Sequence, residues 1–272
     1  MESRTPLADF LRARRELVRP EDVGLPAGSR RRVRGLRREE VALLAGISNE
    51  YYLRLEQGRD QHPSEQVVDA LARALQLDAE ATAHALELSR IRPRRRAGST
   101  QHRPERVPEG VQKLLEAVNV PAFVMDRYRD VLAANRLATA LEPSLVVGAN
   151  RLVSLFTDPE ARSYHPDWSQ NTASVVAQLR ADIGAEQDDA RFQALVGELS
   201  LKSERFGQLW ARHDVKASGS PTGIVHHPVV GELVLHREKF AVIGTASLVV
   251  VMYHAEPGTP SAEALAMLAS LT

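Results

Sequence analysis

The stretch LRREEVALLAGISNEYYLRLEQGR, residues 36–59, decides the reading of the N-terminal part of the chain. Leu36, Val41, Leu43 and Leu44 mark one helix, and Gly46 ends it. Ala42 is small where two helices must approach closely, and Gly46 accepts the left-handed backbone of a tight turn. Ile47 plugs the angle between the helices. Ser48 caps the second helix, so its first side chains and N–H groups point outward. Tyr51, Tyr52 and Leu55 take the inner side of that helix, and Gly58 closes it. These are the parts of a helix–turn–helix.

Further short helices are predicted on either side. Leu7, Phe10, Leu11, Arg14 and Leu17/Val18 form an apolar stripe at helical spacing, followed by an Arg-, Pro- and Gly-rich loop over 18–35. Pro63-Ser64 starts a fourth helix through Val67, Val68, Leu71, Leu75 and Leu77, and a fifth runs from near Asp78 through Ala85, Leu86 and Leu88. The expectation is an all-α bundle of about five helices over 1–90. Residues 91–108, rich in Arg and Pro, read as a linker. From 109 to 272 the pattern changes. A helix over Val111–Val118 precedes a strand, a charged turn at Asp126–Asp130, a second strand and a helix within 121–141. Two or three helices follow in 172–212, broken at Gly184 and Gly197. The alternation Glu232–His236 and the run Leu248–Tyr253 indicate strands in 223–254. Strands at both ends with helices between predict an α+β domain with a central antiparallel sheet. The fold class is therefore multidomain, an all-α head followed by an α+β domain.

The composition of the 272 residues, 43% hydrophobic and 26% charged, is that of a globular protein. Without cysteine there are no disulfides, thiolate metal sites or cysteine nucleophiles. No apolar run is long enough to span a membrane, and the first residues lack a signal-peptide core, so a cytoplasmic protein is expected. Zero net charge conceals an asymmetry. Up to Arg106 there are 21 Lys+Arg, all arginine, against 16 Asp+Glu, and beyond it 14 against 19. One half is suited to a polyanion and the other is not.

The 36–59 stretch resembles the XRE (lambda-repressor-type) helix–turn–helix family over about residues 6–90. The Arg-rich loop, the GLRREEVA, GIS, YY and RLEQGR segments and the later PS, VVDALARAL resemble MmyB-like regulators, as do PAFVMD, ANRLA, LWARHDV and HPVVGEL in the second half. The resemblance implies a lambda-repressor-like head and a PAS-like C-terminal domain. Family geometry lays the second helix of the motif in the major groove, N-terminal end first. That carries Ser48, Asn49 and Glu50 to base edges, where Asn suits adenine and Glu accepts from cytosine. Arg54, one turn on, reaches phosphate or guanine, or forms an i,i+4 surface pair with Glu50. Arg38 takes the place of the family's usual Gln at the backbone, with Arg37 and Arg59 flanking it. Tyr51 and Tyr52 read as core, Tyr52 counting among the contacts for a hydroxyl at phosphate. Glu56 is expected to bond neighbouring backbone, since a carboxylate would repel phosphate. Arg30, Arg31 and Arg32 read as either a solvated run or a clamp on the backbone or minor groove.

In the second domain no catalytic signature is found, and no metal site is called. His226 and His227, adjacent on a strand, face opposite sides. A site from His213, His227, His236 and His254 is the weaker reading beside structural histidines. The resemblance implies a small apolar effector such as a fatty acid, held between sheet and helices, with Trp168, Phe206, Trp210, His213 and His227 as lining candidates. The expected function is a sequence-specific, double-stranded-DNA-binding transcriptional regulator. It is expected to be a homodimer and not an enzyme, and to carry no cofactor beyond that effector. The rivals are an antitoxin-type interaction protein and a histidine-based metalloenzyme.

Overall fold

The computed structural model describes residues 5–26, 33–90, 105–183, 189–216 and 222–272. It divides into two compact units. The first holds the N-terminal helices together with Val175–Gln193 and Phe206–Ser218, and the second holds the sheet and its flanking helices.

In the first unit, α1 (Pro6–Leu17) begins at Thr5, whose Oγ1 accepts the Ala8 N–H at 3.3 Å, with proline in the first turn where its missing N–H costs nothing. The motif helices are α2 (Arg38–Ala45) and α3 (Asn49–Glu56), and α4 (Glu65–Ala74) and α5 (Ala79–Ser89) follow. Ser64 and Asp78 cap the last two by accepting Val67 and Ala81 N–H groups. Phe10, Leu11, Leu36, Val41, Tyr52, Leu55, Leu71 and Leu75 pack as one core. Five helices over this region match the sequence pattern. Leu36, read as part of the second helix, lies before it; within α2 Val41, Ala42 and Ala45 are buried and Leu43 is 73% exposed.

Gly35 has a strict requirement. A Cβ there would stand 2.6 Å from the Arg15 carbonyl oxygen and from the Glu16 Cα. The chain crosses the end of α1 at this point, and Leu36 N–H donates to Arg15 O at 3.1 Å. Only glycine permits that approach.

The second unit is built on a five-stranded antiparallel sheet. Its strands are β1 (Ala122–Met125), β2 (Val131–Ala134), β3 (Thr222–His227), β4 (Gly231–Ala241) and β5 (Val249–His254), in the order β2-β1-β5-β4-β3. This is the PAS-like arrangement. Phe123 pairs with Val251 and Val124 with Val250. The period-2 alternation sends Phe123, Met125 and Val251 to one face, while Ala122, Val124 and Val250 pack on the other beside Leu115 of α6 (Glu109–Ala117). Leu233 and Leu235 of β4 turn inward onto Leu265 and Leu268 of α13 (Pro260–Ser270).

Between β2 and β3 lie α7 (Arg136–Leu141), α8 (Arg151–Thr157), α9 (Ala161–Tyr164), α10 (Trp168–Ile183), α11 (Ala190–Lys202) and α12 (Glu204–Ala211). The expected break at Gly197 does not occur. Gly197 lies inside α11, where Leu195 and Leu199 are buried, and a helix-interior glycine costs only about 1 kcal/mol. Gly184 lies outside the described residues.

The segments that resemble the family carry structural anchors. Asn135 caps α7 through Ala138 N–H, accepts Ala122 N–H at 3.1 Å and donates to Leu115 O and Val120 O. Asp126 holds the β1–β2 turn by accepting the N–H groups of Tyr128 and Asp130.

Candidate nucleic-acid interface and ligand site

The turn between α2 and α3 has the expected geometry. Gly46 has φ 67°, and its N–H reaches the Ala42 and Leu43 carbonyls. Ser48 Oγ accepts Tyr51 N–H at 3.1 Å, satisfying one orphan donor of α3. Ser48, Asn49 and Glu50 are exposed around that helix start, and Arg37, Arg38 and Arg59 are exposed beside it. Arg54 is partly exposed. Its Nε donates to Asp60 at 3.2 Å, its Nη1 stands 3.7 Å from Glu50, and its guanidinium lies over the Tyr51 ring. Tyr52 has no exposed surface and its phenol is held protonated, chiefly by burial and then by the Glu56 charge. It is a core residue, and burial removes it from the DNA-facing set. Arg30, Arg31 and Arg32 lie outside the described residues.

Glu56 does not bond neighbouring backbone as expected. It sits 2% exposed between two arginines, accepting Arg15 Nε at 2.5 Å and Arg38 Nε at 2.6 Å. Arg15 also donates to Leu36 O at 2.9 Å. Burial would raise the Glu56 pKa, but the bonds from Arg15 and Arg38 outweigh it and lower it. The ion pair fixes α1 and α2 to α3 and leaves the Arg38 side chain 46% exposed. Arg38 thus serves as a positioned cation at the start of α2. Arg12, Arg34, Arg37, Arg38, Asn49 and Leu53 contribute to one groove of about 730 Å³. Arg12 and Arg34 were not among the sequence-derived candidates. Sequence spacing does not reveal that α1 and the loop before α2 border the start of α3.

Of the ligand candidates, Phe206, Trp210 and His213 come together. The Phe206 and Trp210 rings stack at 5.8 Å, with Phe192 at 6.2 Å from Trp210. Arg180 lies over Trp210, 3.8 Å from the ring centroid. Its Nη1 is 3.0 Å from His213 Nδ1, and its Nη2 donates to Trp210 O. His213 is a non-glycine residue at φ 53°, a left-handed conformation that its surroundings must enforce. Burial, then the charge of Arg180, lowers its pKa to about 3, so the imidazole is neutral and Nδ1 accepts from the guanidinium. In the same unit Asp214 pairs with Arg14 of α1 at 2.8 Å, and His84 of α5 is lowered to about 4 by burial and Arg180. Trp168 packs edge-on against Phe156, donates its indole N–H to Leu155 O and carries Arg162 over its ring. His227 is buried at the β3–β4 turn. Its Nε2 meets Ala140 O at 2.9 Å and its Nδ1 accepts Val229 and Val230 N–H groups. His226 faces the other way, 3.1 Å from Glu232.

A second polar cluster is buried beside the sheet. Glu142 pairs with Arg151 and accepts Ser144 Oγ–H at 2.8 Å, with His165 Nε2 3.6 Å away. Burial opposes ionisation of Glu142, yet the Arg151 charge prevails and holds its pKa at about 2. Among the described residues no group of three or more His, Asp or Glu side chains is arranged to hold a metal ion. No described helix is long and apolar enough to cross a membrane.

An exposed, capped recognition turn on a helical head, followed by a PAS-like α+β domain, defines a helix–turn–helix transcription regulator with a sensory domain. Comparison with family models agrees. A helix–turn–helix domain matches residues 6–85, and the MmyB-like transcription regulator ligand binding domain matches residues 107–268. The latter spans more than half of the chain, which therefore belongs to the MmyB-like transcription regulators. A comparison with curated proteins returned no match.

Proposed function

We propose that the protein reads a specific DNA sequence with the first turn of α3 and that a small apolar molecule, of fatty-acid type, controls it. The observation that carries the DNA half is the outward-facing set Ser48, Asn49 and Glu50 at a capped helix start, framed by Arg37, Arg38 and Arg59. Asn49 and Glu50 have the chemistry to read bases, and the arginines that to hold phosphates. Arg54 joins them by exchanging Asp60 for a phosphate, and Arg30, Arg31 and Arg32 extend the basic flank in sequence. The protein acts as a homodimer in the cytoplasm, with half-sites about one DNA turn apart. It is not an enzyme and uses no cofactor beyond its effector. The aromatic group of Phe206 and Trp210 supports an apolar ligand.

The test is binding to a selected operator and to random duplex at fixed salt. Asn49→Ala should lose most of the roughly 1–3 kcal/mol of discrimination that one bidentate contact supplies, while random-duplex binding persists. Equal weakening on both duplexes would show that Asn49 does not read bases.

A further inference from the structure

Val175–Gln193 and Phe206–Ser218 belong by sequence to the ligand-binding domain, yet they form one compact unit with the N-terminal helices. The join is both apolar and charged. Val215 is buried in the same core as Leu7, Phe10 and Leu11 of α1, and Ala181 of α10 packs against that core. Beside it, Asp214 accepts from Arg14 Nη1 of α1 at 2.8 Å, in a pair that keeps some contact with solvent. Lys216 N–H donates to Ala177 O at 3.2 Å, which ties the segment back to α10. Just upstream, His213 and Trp210 hold Arg180, whose charge is felt by His84 of α5. His84 in turn lies edge-on to Phe10 at 5.4 Å. The residue after Arg14 on α1 is Arg15, which bonds Glu56 of α3 at 2.5 Å. Two adjacent arginines of one helix thus link the chain beyond α12 to the helix that carries the recognition turn.

We propose that His213–Lys216 is a latch through which the ligand-binding domain controls DNA binding: seated on α1, it holds the head in its DNA-competent arrangement, and its release weakens binding. The proposal rests on the DNA and effector readings above and adds the route between them. With Asp214 and Val215 in place, Ser48, Asn49 and Glu50 are exposed, so the seated form is the one that can meet a duplex. The hold is modest. A valine in apolar packing and a partly solvated ion pair contribute little beside the core of the head, so the segment can open while the head stays folded. Phe206 and Trp210 lie on α12 just ahead of the latch, so a ligand that moves α12 acts on it directly. Such a ligand shifts the head by its difference in affinity for the seated and released arrangements.

Coupling of this kind is reciprocal: if the latch sets DNA affinity, DNA must stabilise the latch. The experiment is therefore hydrogen exchange on the full chain, with and without an operator duplex selected from random-sequence DNA by that chain. In the wild type the duplex should slow exchange in peptides from α3 and, by about fivefold or more, in peptides covering 206–216. Val215→Asp puts a charge into the apolar seat. In that variant the slowing in α3 should persist, the slowing over 206–216 should vanish, and operator affinity should fall by about fivefold or more. Should Val215→Asp fail to fold by circular dichroism, Asp214→Asn decides the matter, since it should reduce both the slowing over 206–216 and the operator affinity. Slowing in α3 with none over 206–216 in the wild type overturns the latch and leaves the DNA reading intact. Undiminished slowing over 206–216 in the folded variants does the same. If no selected duplex slows α3, the DNA reading falls and the latch falls with it.

Discussion

Removing the Glu56 carboxylate is the most direct test of how the DNA-binding head is held together. Its side chain is 1% exposed and bonds Arg15, itself 9% exposed, and Arg38. In Glu56→Ala the Arg15 guanidinium would remain buried with the Leu36 carbonyl as hydrogen-bond acceptor and the half-exposed Glu16 carboxylate 3.8 Å away. Breaking a buried pair by deleting one partner costs about 3–5 kcal/mol, against about 0–1 kcal/mol for a surface pair. The lowered Glu56 pKa and raised Arg15 pKa show that each favours the charged form of the other. They do not show that the pair is better than an apolar core. Arg15→Met with Glu56→Leu should therefore recover most of the loss, since the unpaired charge disappears. The assay is native-state hydrogen exchange followed on peptides from α1 and α3, which reports the head without assuming that both units unfold together. Protection in Glu56→Ala should fall by roughly two to four orders of magnitude, and the double variant should regain most of it. A loss under about 1 kcal/mol in Glu56→Ala would refute the reasoning, because the pair would then be energetically a surface pair.

Gly35→Ala and Gly46→Ala make the same chemical change with different consequences. At Gly46 the space is open but φ is 67°, and the cost should be about 1–2 kcal/mol; at Gly35 the new Cβ meets backbone at 2.6 Å, so its thermal midpoint should fall further. Ser48→Ala removes the α3 cap and should cost about 1 kcal/mol by urea denaturation. Stability should also fall as the pH is lowered from about 6.5 towards 4. His84 and His213, held at about 4 and about 3, stay neutral when folded and take up protons when unfolded, so the unfolded state binds more protons in that window. Glu142, held at about 2, loses its contribution only as the pH falls below about 4.5 and through that value. Urea midpoints against pH check the order, and His84→Gln should flatten the upper part of the curve.

The parts of the site that were legible in the sequence are those set by near neighbours. A cap bonds an N–H three residues on, and a left-handed turn needs only its own glycine, so Ser48 and Gly46 could be read directly. The strand alternation Glu232–His236 was equally local. Apolar character alone put Leu36 in the helix, whereas α2 begins at Arg38 and Leu36 is buried in the loop before it. Glycine alone misplaced a helix break at Gly197, because neighbouring buried leucines offset a small local penalty.

What the sequence by itself determined is the two-part plan and the recognition turn, because helix and strand periodicity, caps and tight turns are short-range effects. What only the tertiary structure decided is which charges are paired. Glu56 meets Arg15 across 41 residues and Arg38 across 18, and Arg14 meets Asp214 across 200. A charge in sequence has no partner until packing supplies one, and the cost of burying it depends on whether packing does.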